Sequence, residues 1–205
     1  MAGTNHMGNR MVLVAAFRNR EVAQRIAAEM RGLVLVASRQ DTAHLPFDSL
    51  VVGSTDDLAS FAGAADIGAW LACERAVKSA SLDRLASVEL PKAIGIFTMV
   101  AAPQMEPADS DRHWRDVHAP LALEIHAAMT HYYQLSLQHR FHGPEWHGFA
   151  LCCFESEDDL RHRFYNGPEG EKAIAEDIRR FADTKRSPRR VVAHIVADEG
   201  VAGGS

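Results

Sequence analysis

The chain has 205 residues, 47% apolar and 24% charged, enough to build a core of ordinary size without metal or disulfide staples. A net charge of −5 argues against a nucleic-acid binder, and no apolar run approaches the ~20 residues that span a bilayer. The N-terminus lacks the apolar stretch of a signal peptide, and three cysteines, two of them adjacent at Cys152 and Cys153, give no disulfide framework. A reducing, cytoplasmic location is expected.

Residues 1–9, with a second Met directly after His6, read as a tag remnant or tail outside the fold. The short apolar run 11–17 predicts a strand. Asn19 is placed to cap a helix over 20–31, with Val22, Ile26 and Met30 at helical spacing and Gly32 closing it. Residues 33–38 and 47–53 read as strands. Ser54 then looks like an N-cap with Asp56 and Asp57 in the first turn, and 69–78 reads as a fourth strand. The order over 10–90 is β-α-β-β-α-β, with a linker over 79–91.

The second half, 91–198, repeats this order. Residues 92–100 predict a strand, and Asp109 the cap of a helix over 110–128. Strands follow at 130–140 and 146–154 around the Gly143-Pro144 turn. Ser156 caps a helix that breaks at Asn166-Gly167-Pro168 and resumes to Phe181; a last strand spans 190–197, before a Gly-rich tail over 199–205. Lys185 to Arg190 is a basic cluster of the kind that usually forms a solvated loop. The motif Ser54-Thr-Asp-Asp-Leu58 recurs as Ser156-Glu-Asp-Asp-Leu160, 102 residues on, which suggests an internal duplication. The expected fold is α+β: two tandem ferredoxin-like βαββαβ units with facing antiparallel sheets, an α+β barrel.

From residue 93 onward the chain resembles the EthD family of dimeric α+β barrel proteins. The resemblance rests on the strand Ile94-Gly-Ile-Phe97, the Trp-x-x-x-His-x-Pro signature of Trp114, His118 and Pro120, and the aromatic strand at His131-Tyr-Tyr133. Gly167-Pro-Glu-Gly170 and the helix with Asp177 and Phe181 complete it. It implies a small, mostly hydrophobic ligand between sheet and helices or within the barrel, and a possible homodimer. Family and superfamily members range over cyclases, dehydratases, lactone isomerases and oxygenases, so fold alone does not choose a reaction. Residues 11–90 lack the signature.

Eight of the eleven histidines lie between His113 and His162, and imidazole is the side chain best suited to proton transfer near neutral pH. Trp114, His118, Leu121 and Ile125 recur at i, i+4, i+7 and i+11, on one helix face. His118 is thus either a core histidine bonded to a backbone carbonyl or a proton-transfer group, and the signature favours the second. Pro120 should kink the helix beside it. His113 lies at the edge of that stripe. On the next strand Tyr132, Gln134 and Ser136 share one face, Tyr133 and Leu135 the other. His142 and His147 flank the hairpin turn with Trp146 between them.

The pairs His113/His118, His126/His131 and His142/His147 are each five apart, a spacing that on a helix rotates side chains about 140°. His-x-His, His-Glu-x-x-His, Cys-x-x-Cys and phosphate-binding Gly motifs are absent, so neither a metal nor a cofactor is expected. The expected activity is cofactor-independent lyase or isomerase chemistry on a small aromatic or polyketide-like compound. His118, His113 and Tyr132 are the catalytic candidates, and Trp114, Gln134, Phe97, His147 and Trp146 the substrate-binding ones. The alternatives are a non-catalytic ligand binder and a cofactor-free or haem-dependent oxygenase.

Overall fold

The apolar runs become strands that each pair on both edges, and the sheet closes on itself. The computed structural model describes residues 9–30, 32–38, 42–79, 85 and 90–196. The expected tag and tail at 1–9 and 199–205 lie outside them save for residue 9, as does most of the 79–91 linker.

In the N-terminal half the order is β1 (Arg10–Phe17), α1 (Arg20–Glu29), β2 (Leu33–Ala37), β3 (Ser49–Gly53), α2 (Leu58–Ala64) and β4 (Gly68–Lys78). The C-terminal half holds β5 (Ala93–Met99) and α3 (Pro107–His113), then a π-helical segment (Trp114–His118) that runs into α4 (Ala119–Ile125). It continues with β6 (His131–His142), β7 (Gly148–Phe154), α5 (Glu157–His162), α6 (Pro168–Phe181) and β8 (Val191–Ile195).

The strands form a closed barrel in the order β1-β3-β2-β8-β5-β7-β6-β4, all neighbours antiparallel. This corrects the expectation of two sheets that merely face each other. Within each half the strands keep the same relative order, β4-β1-β3-β2 and β8-β5-β7-β6, but hydrogen bonds join the halves at both seams. β2 pairs with β8, Leu35 opposite Ile195, and β4 pairs with β6, Arg75 opposite Gln134.

Local caps depart from expectation in two places. Asp57, not Ser54, caps α2, its carboxylate accepting from the Ser60 N–H at 3.0 Å. Ser156 does cap α5, so the two Ser-x-Asp-Asp-Leu motifs start their helices at different points. Asp109 lies in the first turn of α3, whose N-cap position is Glu106 ahead of Pro107. Proline needs no N–H there, because first-turn N–H groups have no helical partner.

Period-two alternation sorts each strand between two cores. Inward residues such as Val14, Leu35, Ile96, Tyr133 and Leu135 fill the barrel. Its end is plugged by Phe47, Trp70, Trp146 and Phe149, with the two indoles stacked at 5.3 Å and 22°. Outward residues of the N-terminal half pack under α1 and α2, and those of the C-terminal half under α3, α4 and α6. Cys152 and Cys153 follow the same rule, one on each side, both free thiols.

Trp70 is fully buried at the centre of the plug. Trp70→Ala should therefore cost about 3–5 kcal/mol. Urea unfolding of the two proteins, compared at equal m-value, measures the loss.

Candidate functional site

The helix that carries the Trp-x-x-x-His-x-Pro signature widens just ahead of Pro120. Residues Trp114–His118 form a π turn, with the Ala119 N–H bonded to the Trp114 carbonyl five residues back. A π turn takes in one extra residue, and such turns recur at functional sites. The buried stripe is displaced accordingly: beyond Trp114 and His118 it continues through Ala119, Ala122 and Ile125 to His126, while Leu121, expected in the stripe, is only half-buried.

Under this helix lies a cavity of about 430 Å³ between the outer face of the C-terminal strands and the helices. Phe97, Tyr132, Ala150 and Cys152 form its floor. Trp114, His118, Ala122 and His126 form one wall, and Ile174, Ile178 and Phe181 of α6 another. Phe164 and Tyr165 close one side, while Thr184, Ser187 and Arg189 stand on the segment leading to β8. Part of the basic cluster thus borders the cavity, and Arg190 lies over the Phe97 ring at 5.8 Å. The lining is chiefly apolar, and its small members, Ala122, Ala150 and Cys152, leave the space open.

His118 is buried, and its Nδ1 lies 2.9 Å from Asp177 Oδ2. The other Asp177 oxygen, Oδ1, is 2.8 Å from His113 Nε2. A carboxylate only accepts, so each histidine donates the facing N–H. In its neutral form His118 presents Nε2 as a lone-pair acceptor, and that atom has no protein partner among the described residues. Burial pushes the Asp177 carboxyl up, but the hydrogen bonds from His118 and His113 outweigh it and hold the group below its ordinary value. His113 also stacks on Phe181 at 5.2 Å and does not line the cavity.

Tyr132 lies at the end of a second polar chain. Its hydroxyl accepts from Trp114 Nε1 at 3.1 Å and from Gln134 Nε2 at 3.2 Å. Gln134 Nε2 also donates to the Trp114 carbonyl at 3.1 Å, and its Oε1 accepts from Arg75 Nη1 at 3.3 Å. Arginine has no acceptor, so it fixes which way the Gln134 amide faces. Arg75, buried on β4, is itself clamped by both oxygens of Asp111. With two N–H groups on the Tyr132 oxygen, its own proton is left to donate elsewhere. Burial pushes the phenol well above its ordinary value, so it stays protonated.

The expected site residues divide into three groups. His118, Tyr132, Trp114 and Phe97 line the cavity. His113 and Gln134 stand one hydrogen bond behind it. His147 and Trp146, expected at the ligand, do not line this cavity. His147 Nδ1 accepts the Ala101 N–H at 3.1 Å, and Trp146 belongs to the barrel plug, because the loop carrying them folds over the barrel end. Three contributors were missed. Asp177 occupies a buried position of α6 between Ile174 and Phe181, and an acidic residue on an apolar stripe was the available signal. His126 was hidden by the π turn, and Arg75 by a barrel seam that only the closed sheet creates. Among the described residues no group of three or more His, Cys, Asp or Glu side chains is arranged to hold a metal ion. Nor is any helix long and apolar enough to cross a membrane.

Residues 102–185 match the EthD domain, a span that holds the π turn, both polar chains' C-terminal members and α6. The match lies within the C-terminal half, between β5 and β8. No curated protein matches the chain. Among solved structures, an anthrone oxidase-like protein matches with a TM-score of 0.59 at 11% identity, covering 94% of this chain and 93% of that one. Similarity at that identity establishes a shared fold over the whole barrel, and the EthD match lies within one half of it.

The lowered Asp177 pKa has a testable sign. A carboxyl depressed in the folded state stabilises above its unfolded pKa of about 3.9 and loses that contribution as pH falls through the folded value. Asp177→Asn should cost about 1–3 kcal/mol near neutrality. In denaturant titrations from pH 7 to pH 3, the gap between wild type and Asp177→Asn should narrow only at the acid end.

Proposed function

We propose that the EthD domain houses a proton-transfer enzyme for small aromatic or polyketide-like compounds, acting as a lyase or isomerase. The carrying observation is the Asp177–His118 pair, which directs an unpartnered imidazole Nε2 to an apolar cavity. In this reading His118 removes a proton from a carbon next to a carbonyl, and the electron pair moves onto the carbonyl oxygen. Asp177 stabilises the imidazolium that forms, as the carboxylate does in a catalytic triad. The Tyr132 hydroxyl donates to the developing oxyanion, held by two N–H groups that cost no reorganisation at the moment of reaction. Return of the proton to another atom completes an isomerisation; loss of a leaving group gives elimination. His113 orients Asp177. Tandem ferredoxin-like units, supported by the matching strand order of the halves, account for the barrel as a duplication in which one copy kept a cavity.

The name of the structural neighbour favours a second reading with the same first step. A carbanion formed by His118 could pass its electrons to molecular oxygen in place of being reprotonated, making the protein an oxygenase. A third is binding without turnover.

Anthrone is a suitable probe, because it enolises by moving one ring-methylene proton to its carbonyl oxygen. In anaerobic D2O the wild type should accelerate exchange of that methylene. His118→Gln should lower the exchange rate by about 10²–10⁴ while keeping the fold, and Tyr132→Phe by about 10²–10³. His113→Gln should lose much less. Unchanged exchange in folded His118→Gln would remove His118 from the chemistry. Stoichiometric oxygen uptake in air would select the oxygenase, and binding with no exchange the binder.

A further inference from the structure

The cavity wall holds a second imidazole, one that the mechanism above does not use. His126 is 3% exposed and lines the cavity one α turn beyond Ala122. Its backbone is pinned, with its N–H bonded to the Ala122 carbonyl at 2.9 Å and its carbonyl accepting from the Met129 N–H at 3.0 Å. Its ring packs against Phe164 at 4.2 Å and Tyr165 at 5.4 Å. Nδ1 lies 2.6 Å from the Phe164 carbonyl oxygen. A carbonyl only accepts, so Nδ1 carries the hydrogen and Nε2 is left as a bare acceptor. Among the described residues Nε2 has no protein partner.

The two cavity histidines therefore differ in what stands behind them. His118 is backed by a carboxylate that stabilises its charged form, whereas His126 is backed by a neutral carbonyl. Burial pushes the His126 pKa down, more than the Phe164 hydrogen bond raises it, and the nearby His118 lowers it further. A neutral imidazole with its lone pair free in an apolar wall is a poor base but a good hydrogen-bond acceptor. A buried acceptor left unmet costs roughly 1–3 kcal/mol, and a ligand O–H would meet it.

We propose that His126 Nε2 accepts a hydrogen bond from an O–H of the ligand, so that the cavity selects phenols and enols over the same skeletons with the oxygen capped. The inference rests on reading the cavity as a ligand site. Combined with the Tyr132 donor, it specifies the substrate class: a hydroxylated aromatic ketone or its enol, with one O–H for His126 and one carbonyl-type oxygen for Tyr132.

The test is a pair of probes, 1-naphthol and 1-methoxynaphthalene, titrated by fluorescence against wild type and variants. The readout is the ratio of the two dissociation constants. The wild type should prefer 1-naphthol, and His126→Asn should cut that preference by about 3- to 10-fold. Asparagine can still donate to the Phe164 carbonyl from the Nδ1 position but has nothing at Nε2. His126→Gln, whose amide reaches the Nε2 position, should retain part of the preference. Tyr132→Phe should leave the ratio unchanged, since a phenol donor does not distinguish a hydroxyl oxygen from its methyl ether. An equal ratio in wild type and folded His126→Asn would overturn the assignment while leaving the cavity as a ligand site. Loss of the preference in His118→Asn in place of His126→Asn would also overturn it, assigning the O–H to His118. Failure of the wild type to bind either probe would remove the ligand-site reading itself, and this inference with it.

Discussion

A carboxylate withdrawn from water costs several kcal/mol unless charge or donors surround it. Asp177 is 4% exposed on the buried face of α6, and its two oxygens are met by one imidazole each, from His113 and His118. Those histidines sit on the helix that crosses above β6 and β7, so the bond that satisfies the carboxylate also docks α6 against that helix. The Ser110 hydroxyl reinforces the junction by donating to the Phe181 carbonyl at 2.6 Å. The ceiling of the cavity is thus held by polar bonds at one edge and can remain open in its middle. Pulled apart, the same two helices would leave a bare charge in an apolar wall.

The π turn determines what that ceiling presents. An uninterrupted α-helix from Trp114 would place Leu121 over the sheet, where the observed helix leaves it only half-buried. The extra residue in the Trp114–His118 turn brings Ala122 and His126 into the stripe, exchanging bulk for space and an imidazole. The widened turn also turns the Trp114 carbonyl to two donors, the Ala119 N–H and Gln134 Nε2. Gly148 completes the fit, since a Cβ there would lie 2.5 Å from the Trp114 ring. The indole can lie flat on β7 only because that position has no side chain, and from there its N–H reaches Tyr132.

Strand and helix order was legible in the sequence because alternation and helical spacing are local signals. The apolar runs at 11–17 and 92–100 became β1 and β5 within two residues. His118 and Tyr132 were legible as candidates for the same reason: one shares an apolar helix stripe, the other a polar strand face that helices cover. What lay outside sequence reach depended on non-local geometry. Closure of the sheet is a property of two seams, β2 with β8 and β4 with β6, and no local pattern encodes it. His147 was a substrate-binding candidate from its place beside Trp146 at the hairpin turn, yet the loop folds over the barrel end and its Nδ1 accepts the Ala101 N–H. The π turn follows no composition rule, and a helical wheel drawn at 100° per residue steps past His126.

Closure of the barrel also explains why a half without a signature matters to the site. The core under α1 and α2 is built from Phe17, Ile26, Met30, Val36 and Phe61. Its contribution crosses the seam. Arg75 stands opposite Gln134 on the β4–β6 pairing, 3% exposed, and its charge is balanced by Asp111 on the far side. Because a guanidinium can only donate, Gln134 must turn its carbonyl to Arg75 and its amide N–H groups toward Tyr132 and the Trp114 carbonyl. The orientation of a phenolic proton in one half is thereby set by a cation in the other. The C-terminal half standing alone would lose that cation along with its seam, leaving Gln134 free to flip and the Tyr132 hydroxyl free to turn away. The N-terminal half thus constrains the neighbouring cavity, and the closed barrel is the means by which that constraint is applied.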